Sequence, residues 1–165
     1  MDVVAQVLLA GLLATIAIDC WATFANRVLD FPRTNWGMVG RWIGHIPTGK
    51  FIHRPIGSSA EINHENVLGW TFHYLIGFSY SALYSLLIFT FLHGTPTLLS
   101  AWLFGLATVL SPWFIMQPGL GLGVCAIKAP QPNLVRVNNI VIHSIFGIAL
   151  YISWLLTSTL TIHIQ

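Results

Sequence analysis

Charged side chains are what this sequence has least of. Lys, Arg, Asp and Glu make up 7% of its 165 residues, and apolar residues make up 55%. A soluble domain usually carries about a quarter charged residues, so a surface this poor in charge would not stay dissolved. The net charge of +2 is small and gives no reason to expect nucleic acid as a partner. The composition therefore predicts a lipid bilayer as the main partner of the chain.

Cysteine and recognisable catalytic motifs are scarce as well. Cys20 and Cys125 are far apart and form no Cys-x-x-Cys spacing, which argues against a disulfide framework or a zinc knuckle. No His-Glu-x-x-His sequence occurs, and no Ser/His/Asp or Cys/His order stands out. The sequence therefore favours a non-enzymatic role and assigns no cofactor.

Four long apolar runs cover most of the chain. They span about residues 3–26, 67–92, 98–116 and 137–162, and each reaches the roughly 20 residues that a bilayer core demands. Inside lipid every backbone polar group must be paired within its own segment, so such runs form helices. We predict an all-α fold, a bundle of four transmembrane helices that makes residues 1–165 one integral membrane domain.

The basic residues are confined to two of the connecting segments and their edges. They are Arg27, Arg33, Arg41, Lys50, Arg54, Lys128 and Arg136. The positive-inside rule places both segments in the cytoplasm and both termini outside it. In the longer segment, Val39, Trp42, Ile43 and Ile46 share one helical face. This pattern predicts a short helix at the membrane interface, and a lid over a site in the bundle is the alternative.

Asp19 is the only acidic residue well inside a predicted span. A carboxylate at mid-bilayer costs about 2.5–3.5 kcal/mol on insertion scales, so it must be paired, protonated or turned inward. At 1.5 Å per residue, Asp19, His73 and His143 all lie roughly 9–10 Å below the cytoplasmic interface. Gln117 ends the third span near that level. We therefore expect at least one of the two histidines to reach Asp19.

These polar groups define the candidate site. The residues expected to bind a ligand or a proton are Asp19, His73, His143, Gln117, Glu65 and Arg41. They favour a protein that binds or moves a small solute, ion or proton near the cytoplasmic side. One alternative is a membrane-embedded metalloenzyme, with His45, His53 and His64 as metal ligands. Another is structural, with the same groups serving only as hydrogen bonds between helices.

Small and polar residues recur at every fourth position in the first two spans. The first series is Gly11, Thr15, Asp19 and Thr23, and the second is Glu61, Glu65, Gly69, His73, Gly77, Ser81 and Ser85. Such stripes favour close contact between helices, which makes a homo-oligomer or an accessory subunit a further alternative. A His-x-x-x-Gly spacing occurs at His73 and again at His143. It indicates a tandem duplication of a two-helix unit.

Several short stretches together resemble a known family. They are Gly40-Arg41-Trp42-Ile43-Gly44-His45, Gly69-Trp70, His73-Tyr74 and Met116-Gln117-Pro118, together with His143 and Gly147. The chain resembles a bacterial family of small membrane proteins, the domain of unknown function two-nine-three-eight. The resemblance implies a multi-pass protein of the bacterial inner (cytoplasmic) membrane, and it implies no reaction, substrate or cofactor.

Overall fold

A computed structural model describes the backbone of residues 3–162 and the side chains of residues 3–157. Over this range the chain is helical and contains no β-strand. Four helical segments are long and apolar enough to cross a membrane, namely Val3–Val28, Glu65–Phe91, Leu98–Gly119 and Pro132–Thr157. The predicted all-α bundle of four membrane-spanning helices is confirmed, with span boundaries that shift by two to five residues at several ends.

Six α-helices follow one another within residues 3–162. They are α1 (Val3–Val28), α2 (Trp36–His45), α3 (Glu65–Leu86), α4 (Leu98–Thr108), the short α5 (Gln117–Gly119) and α6 (Pro132–Ile162). A π-helical turn at Leu87–Phe91 extends α3, and another at Pro112–Met116 joins α4 to α5. Proline lacks a backbone N–H and cannot donate within a helix. Its presence at Pro112 accounts for the break in regular α-helix there.

The spanning helices pack closely where glycines face one another. A Cβ added to Gly77 of α3 would overlap Oγ1 of Thr15 in α1. A Cβ added to Gly147 of α6 would overlap the backbone oxygen of Ala101 in α4. The small-residue stripes of the first two spans therefore pack against each other within one chain. The homo-oligomer expected from these stripes stays a prediction, and Gly77 and Thr15 already have an intramolecular partner surface.

The two basic connecting segments lie at the same end of the bundle. The backbone N–H of His53 donates to the oxygen of Gly119 at 3.0 Å, and that of Ile56 donates to Leu120 at 3.1 Å. Four buried side chains from both segments form a small apolar cluster, namely Val39, Trp42, Ile56 and Leu120. This shared end is the arrangement that the distribution of basic residues requires in a four-span protein.

The helix expected in the longer segment is α2. The side chain of Asn35 accepts from the N–H of Met38 and caps its start at 3.2 Å. Val39 and Trp42 are buried, as the apolar face predicts. Arg41 lies outside the apolar face of Val39, Trp42, Ile43 and Ile46, yet it is only 4% exposed. The reason is that α2 packs against α3 as well as against the bundle end, so its second face is also covered.

Candidate functional site

A cavity of about 240 Å³ lies among the helices. Its walls come from α1, α3, α6, the turn at Pro112–Met116 and the segment that leads into α2. Most of the lining is apolar, and the polar groups are few. The polar or ionisable side chains on its wall include Thr15, Asp19, Arg33, Thr34, His73, Ser111, Asn138, Asn139 and His143. A mostly apolar cavity with a few convergent polar groups is the usual form of a small-molecule site.

Asp19 is the acidic residue of the cavity wall, and both of its carboxylate oxygens have partners on α3. Its Oδ1 lies 3.0 Å from Nε2 of His73, and its Oδ2 accepts from the hydroxyl of Tyr74 at 2.9 Å. When Asp19 is ionised, Nε2 of His73 is the donor of this bond, because an ionised carboxylate can only accept hydrogen bonds. The contact with a histidine that the depth count predicts is confirmed for His73. Tyr74, the second donor, was not expected from the sequence.

His73 is fixed on its other side by an aromatic ring. Trp36, at the start of α2, stacks on the imidazole with ring centroids 4.0 Å apart. His73 is 8% exposed, so its imidazole is largely withdrawn from solvent. The segment between the first two spans therefore supplies part of the site. The sequence offered no signal for this contact, because nothing in it fixes how α2 returns to the bundle.

His143 lies on the cavity wall but has a different partner. Its Nδ1 is 2.7 Å from Oγ1 of Thr108, and the same hydroxyl lies 2.6 Å from the backbone oxygen of Gly105. Asp19 and His143, which were expected at equal depth, line the same cavity. Within the described side chains of residues 3–157, these two residues form no hydrogen bond with each other. Depth fixes height along the membrane normal and leaves the rotation of each helix open.

Two asparagines of α6 connect the cavity to its surroundings. Asn138 accepts from Nε1 of Trp21 at 3.3 Å and donates to the oxygen of Pro32 at 3.1 Å. Asn139 accepts from Nε1 of Trp113 at 3.2 Å and from Nε2 of Gln117 at 2.8 Å. Gln117 is thus buried behind the wall and does not line the cavity. The asparagine pair was missed, although adjacent amides inside an apolar helix are a visible signal.

Arg41 and Glu65 bind each other away from the cavity wall. Nε of Arg41 donates to Oε2 of Glu65 at 2.7 Å and Nη2 donates to Oε1 at 2.8 Å, a bidentate pair. Nη2 also reaches Glu61 at 3.3 Å, and Nη1 donates to the oxygen of Ser59 at 3.2 Å. The hydrogen bond with Glu65 raises the pKa of Arg41 above its already high ordinary value. These contacts fasten the first connecting segment to α3.

The histidines considered as metal ligands are only partly brought together. The rings of His45 and His53 lie 5.2 Å apart, and His64 sits at the start of α3. Nδ1 of His53 is engaged by Oγ of Ser59 at 2.6 Å, and Nε2 of His45 by the oxygen of Ala60 at 3.0 Å. Among the residues that the structure describes, no three His, Cys, Asp or Glu side chains form a group suited to a metal ion.

The chain belongs to a family whose members are described as proteins of unknown function (DUF2938). The family model matches residues 8–157 and so includes most of every spanning helix and both basic segments. This confirms the resemblance expected from the sequence. No curated protein matches the chain, and no solved structure does. Its class is therefore a multi-pass membrane protein, and the chemistry of its cavity has to be argued from the residues themselves.

Proposed function

We propose that this protein binds a small organic cation in the cavity between its spanning helices. The observation that carries this proposal is the Asp19 carboxylate, which lies on the cavity wall within hydrogen-bond distance of His73 and Tyr74. The carboxylate gives the wall a negative charge at a place where the Asp19 side chain is only 21% exposed. Arg33 also lines the cavity, but it is an exposed residue of the connecting segment. A cation offsets the cost of keeping that carboxylate ionised.

The remaining wall suits the organic part of such a ligand. Aromatic rings line the cavity at Trp36, Trp42, Phe72, Tyr80 and Phe146. The face of an aromatic ring attracts a cation by about 0.5–2 kcal/mol, most strongly where water is excluded. The cavity volume of about 240 Å³ lies below the roughly 300–1,000 Å³ typical of sites for drug-sized ligands. Size and lining together favour a compact amine over a metal ion or a large substrate.

Binding of benzylammonium to the purified full chain in detergent tests this function. We expect calorimetric titration to show saturable binding that weakens at least about tenfold in Asp19→Asn, since one charge contact is lost. Asp30→Asn is the matched control, because Asp30 is an exposed carboxylate that does not line the cavity. Binding of neutral benzyl alcohol as tightly as benzylammonium, or an unchanged affinity in Asp19→Asn, would contradict the proposal.

The same proposal includes an orientation. We propose a single domain in a bacterial inner membrane, with both basic segments in the cytoplasm and both termini outside. The side of the membrane is assigned from the distribution of basic residues between the connecting segments. Topology reporters fused after Gln165 and inserted near Gly49 should report opposite sides. A cytoplasmic signal from the fusion after Gln165 would reverse the orientation and with it the side from which the cavity is reached.

A further inference from the structure

The hydrogen bonds of His143 fix which of its ring nitrogens carries the proton. The hydroxyl of Thr108 has one hydrogen and two close partners, the oxygen of Gly105 at 2.6 Å and Nδ1 of His143 at 2.7 Å. A carbonyl oxygen cannot donate, so the short contact with Gly105 uses the hydroxyl hydrogen. Oγ1 of Thr108 must then accept from His143. The neutral imidazole is therefore protonated at Nδ1, and Nε2 keeps its lone pair.

That lone pair belongs to a residue of the cavity wall. His143 lines the cavity, and Nε2 has no hydrogen-bond partner among the side chains and backbone of residues 3–157. The other polar groups on the wall do not duplicate this role. Nε2 of His73 is already engaged by Asp19, and the oxygen of Asn139 already accepts two N–H groups. The wall thus presents a neutral acceptor on α6 in addition to the carboxylate on α1.

We propose that Nε2 of His143 selects, among small organic cations, those that carry an N–H group. This inference rests on the proposed function and specifies its ligand class as protonated primary, secondary or tertiary amines. The aromatic rings alone would accept a quaternary ammonium equally well, since a cation–π contact needs no N–H. Each oxygen of the Asp19 carboxylate is already engaged, one by His73 and the other by Tyr74. A quaternary ammonium cannot donate to Nε2, so it leaves this acceptor desolvated and unpaired, which a polar site penalises strongly.

Two cations that differ by one methyl group provide the test. Benzyldimethylammonium has one N–H and benzyltrimethylammonium has none, while charge and ring are the same. We expect the full chain in detergent to prefer the first by at least about tenfold in calorimetric titration. In His143→Phe, which keeps a flat ring and removes the acceptor, the preference should disappear through weaker binding of benzyldimethylammonium. Equal binding of both cations by the wild type overturns the inference and leaves the proposed function standing.

A preference that persists in His143→Phe also overturns it, because the methyl group or the Asp19 carboxylate would then account for the difference. Failure of both cations to bind removes the proposed function and this inference together. A second measurement does not depend on the variant folding or on any ligand. The ¹⁵N spectrum of histidine-labelled protein should assign a neutral His143 protonated at Nδ1, and protonation at Nε2 instead excludes the acceptor.

Discussion

The bundle has two halves, α1 with α3 and α4 with α6. Both halves pack through the same kind of glycine contact, but the histidine beside that contact has a different partner in each. In the first half, α1 and α3 meet at Gly77, and His73 lies four residues before it. In the second half, α4 and α6 meet at Gly147, and His143 lies four residues before it. The first histidine is paired with the carboxylate of Asp19 and the second with the hydroxyl of Thr108.

The difference assigns separate roles to the halves. A glycine one helical turn after the histidine brings the partner helix close enough for a hydrogen bond across the contact. The side chain that the partner helix offers to the histidine, Asp19 on α1 or Thr108 on α4, decides whether that part of the wall is charged or neutral. The first half contributes charge to the cavity, and the second contributes a neutral base. The first half alone also carries the long segment with α2, and its Trp36 covers His73.

The largest effect should come from filling the two glycine contacts. Gly147→Ala places a methyl group against the backbone oxygen of Ala101, which cannot move aside without shifting a helix. We expect it to cost about 2 kcal/mol of folding stability, in the range of overpacked cores. Gly77→Ala meets the side chain of Thr15, and Gly77→Ala combined with Thr15→Ala should recover most of its loss. Unfolding in mixed micelles, followed by tryptophan fluorescence, measures both.

Equal losses for the two single substitutions would show that the halves are equally rigid at the contact. A larger loss for Gly77→Ala than for Gly147→Ala would reverse the expected order. Failure of Thr15→Ala to restore Gly77→Ala would mean that the obstruction in the first half is also backbone. Each outcome would change the comparison of the two halves at the level of helix packing, before any polar group is considered.

The charged pair should give the next largest effect. Asp19→Leu removes the acceptor of both His73 and Tyr74 and leaves two partly buried donors without it. We expect a loss of about 1–2 kcal/mol, since single interhelical hydrogen bonds in membranes average about 0.6 kcal/mol and reach about 1.7. Asp19→Asn keeps one acceptor oxygen and should lose less than half as much. Equal or greater stability of Asp19→Leu would mean that the insertion cost of the carboxylate dominates.

The same mixed-micelle unfolding assay serves both Asp19 variants, and Asp30→Asn again provides the matched exposed control. Stability and cation binding should separate in Asp19→Asn, which is expected to fold nearly as well as the wild type and to bind benzylammonium poorly. If both properties were lost together, the carboxylate would be a structural group of the first half. The comparison would then be between two kinds of helix contact and would say nothing about a ligand.

The neutral pair of the second half should respond less to substitution. Thr108→Val keeps the shape of the side chain and removes the hydroxyl that bridges Gly105 and His143. We expect a loss of about 0.6 kcal/mol, the average for one such bond. The ¹⁵N spectrum of His143 should show a mixture of its two neutral forms, because the group that selects Nδ1–H is gone. A spectrum identical to that of the wild type would show that another group selects this form.

The sequence predicts the position of site residues along their helices better than it predicts the rotation of those helices. Apolar length determines the spans, and counting along them predicts that His73 can reach Asp19, a contact that the structure confirms. Helix rotation is set by packing at Gly77 and Gly147, and depth counting contains no information about it. The pairing of His143 with Thr108 could therefore not be predicted. The contact of Trp36 with His73 depends on the path of a long connection, which periodicity does not determine.

The smallest effect concerns the segment that only the first half carries. Burial lowers the pKa of His53 below its ordinary value of 6.5, and the nearby positive charges of Lys50 and His45 lower it further. The folded state therefore binds this proton less readily than the unfolded state. Below about pH 6.5 the unfolded state holds more protons, so the stability contributed by His53 is lost as the pH falls.

We therefore expect the bundle end to loosen in acid. His53 donates its backbone N–H to Gly119, so charging its buried ring strains the contact between the segment and the second half. Hydrogen exchange of the Gly119–Leu122 region should accelerate between about pH 7 and pH 5 after correction for intrinsic rates. His53→Gln should reduce that acceleration, and the exposed His64→Gln should not. Equal pH sensitivity in wild type and His53→Gln would show that the segment stays attached whatever the charge of the His53 ring. The carboxylate of Asp19 would then be the main electrostatic difference between the two halves.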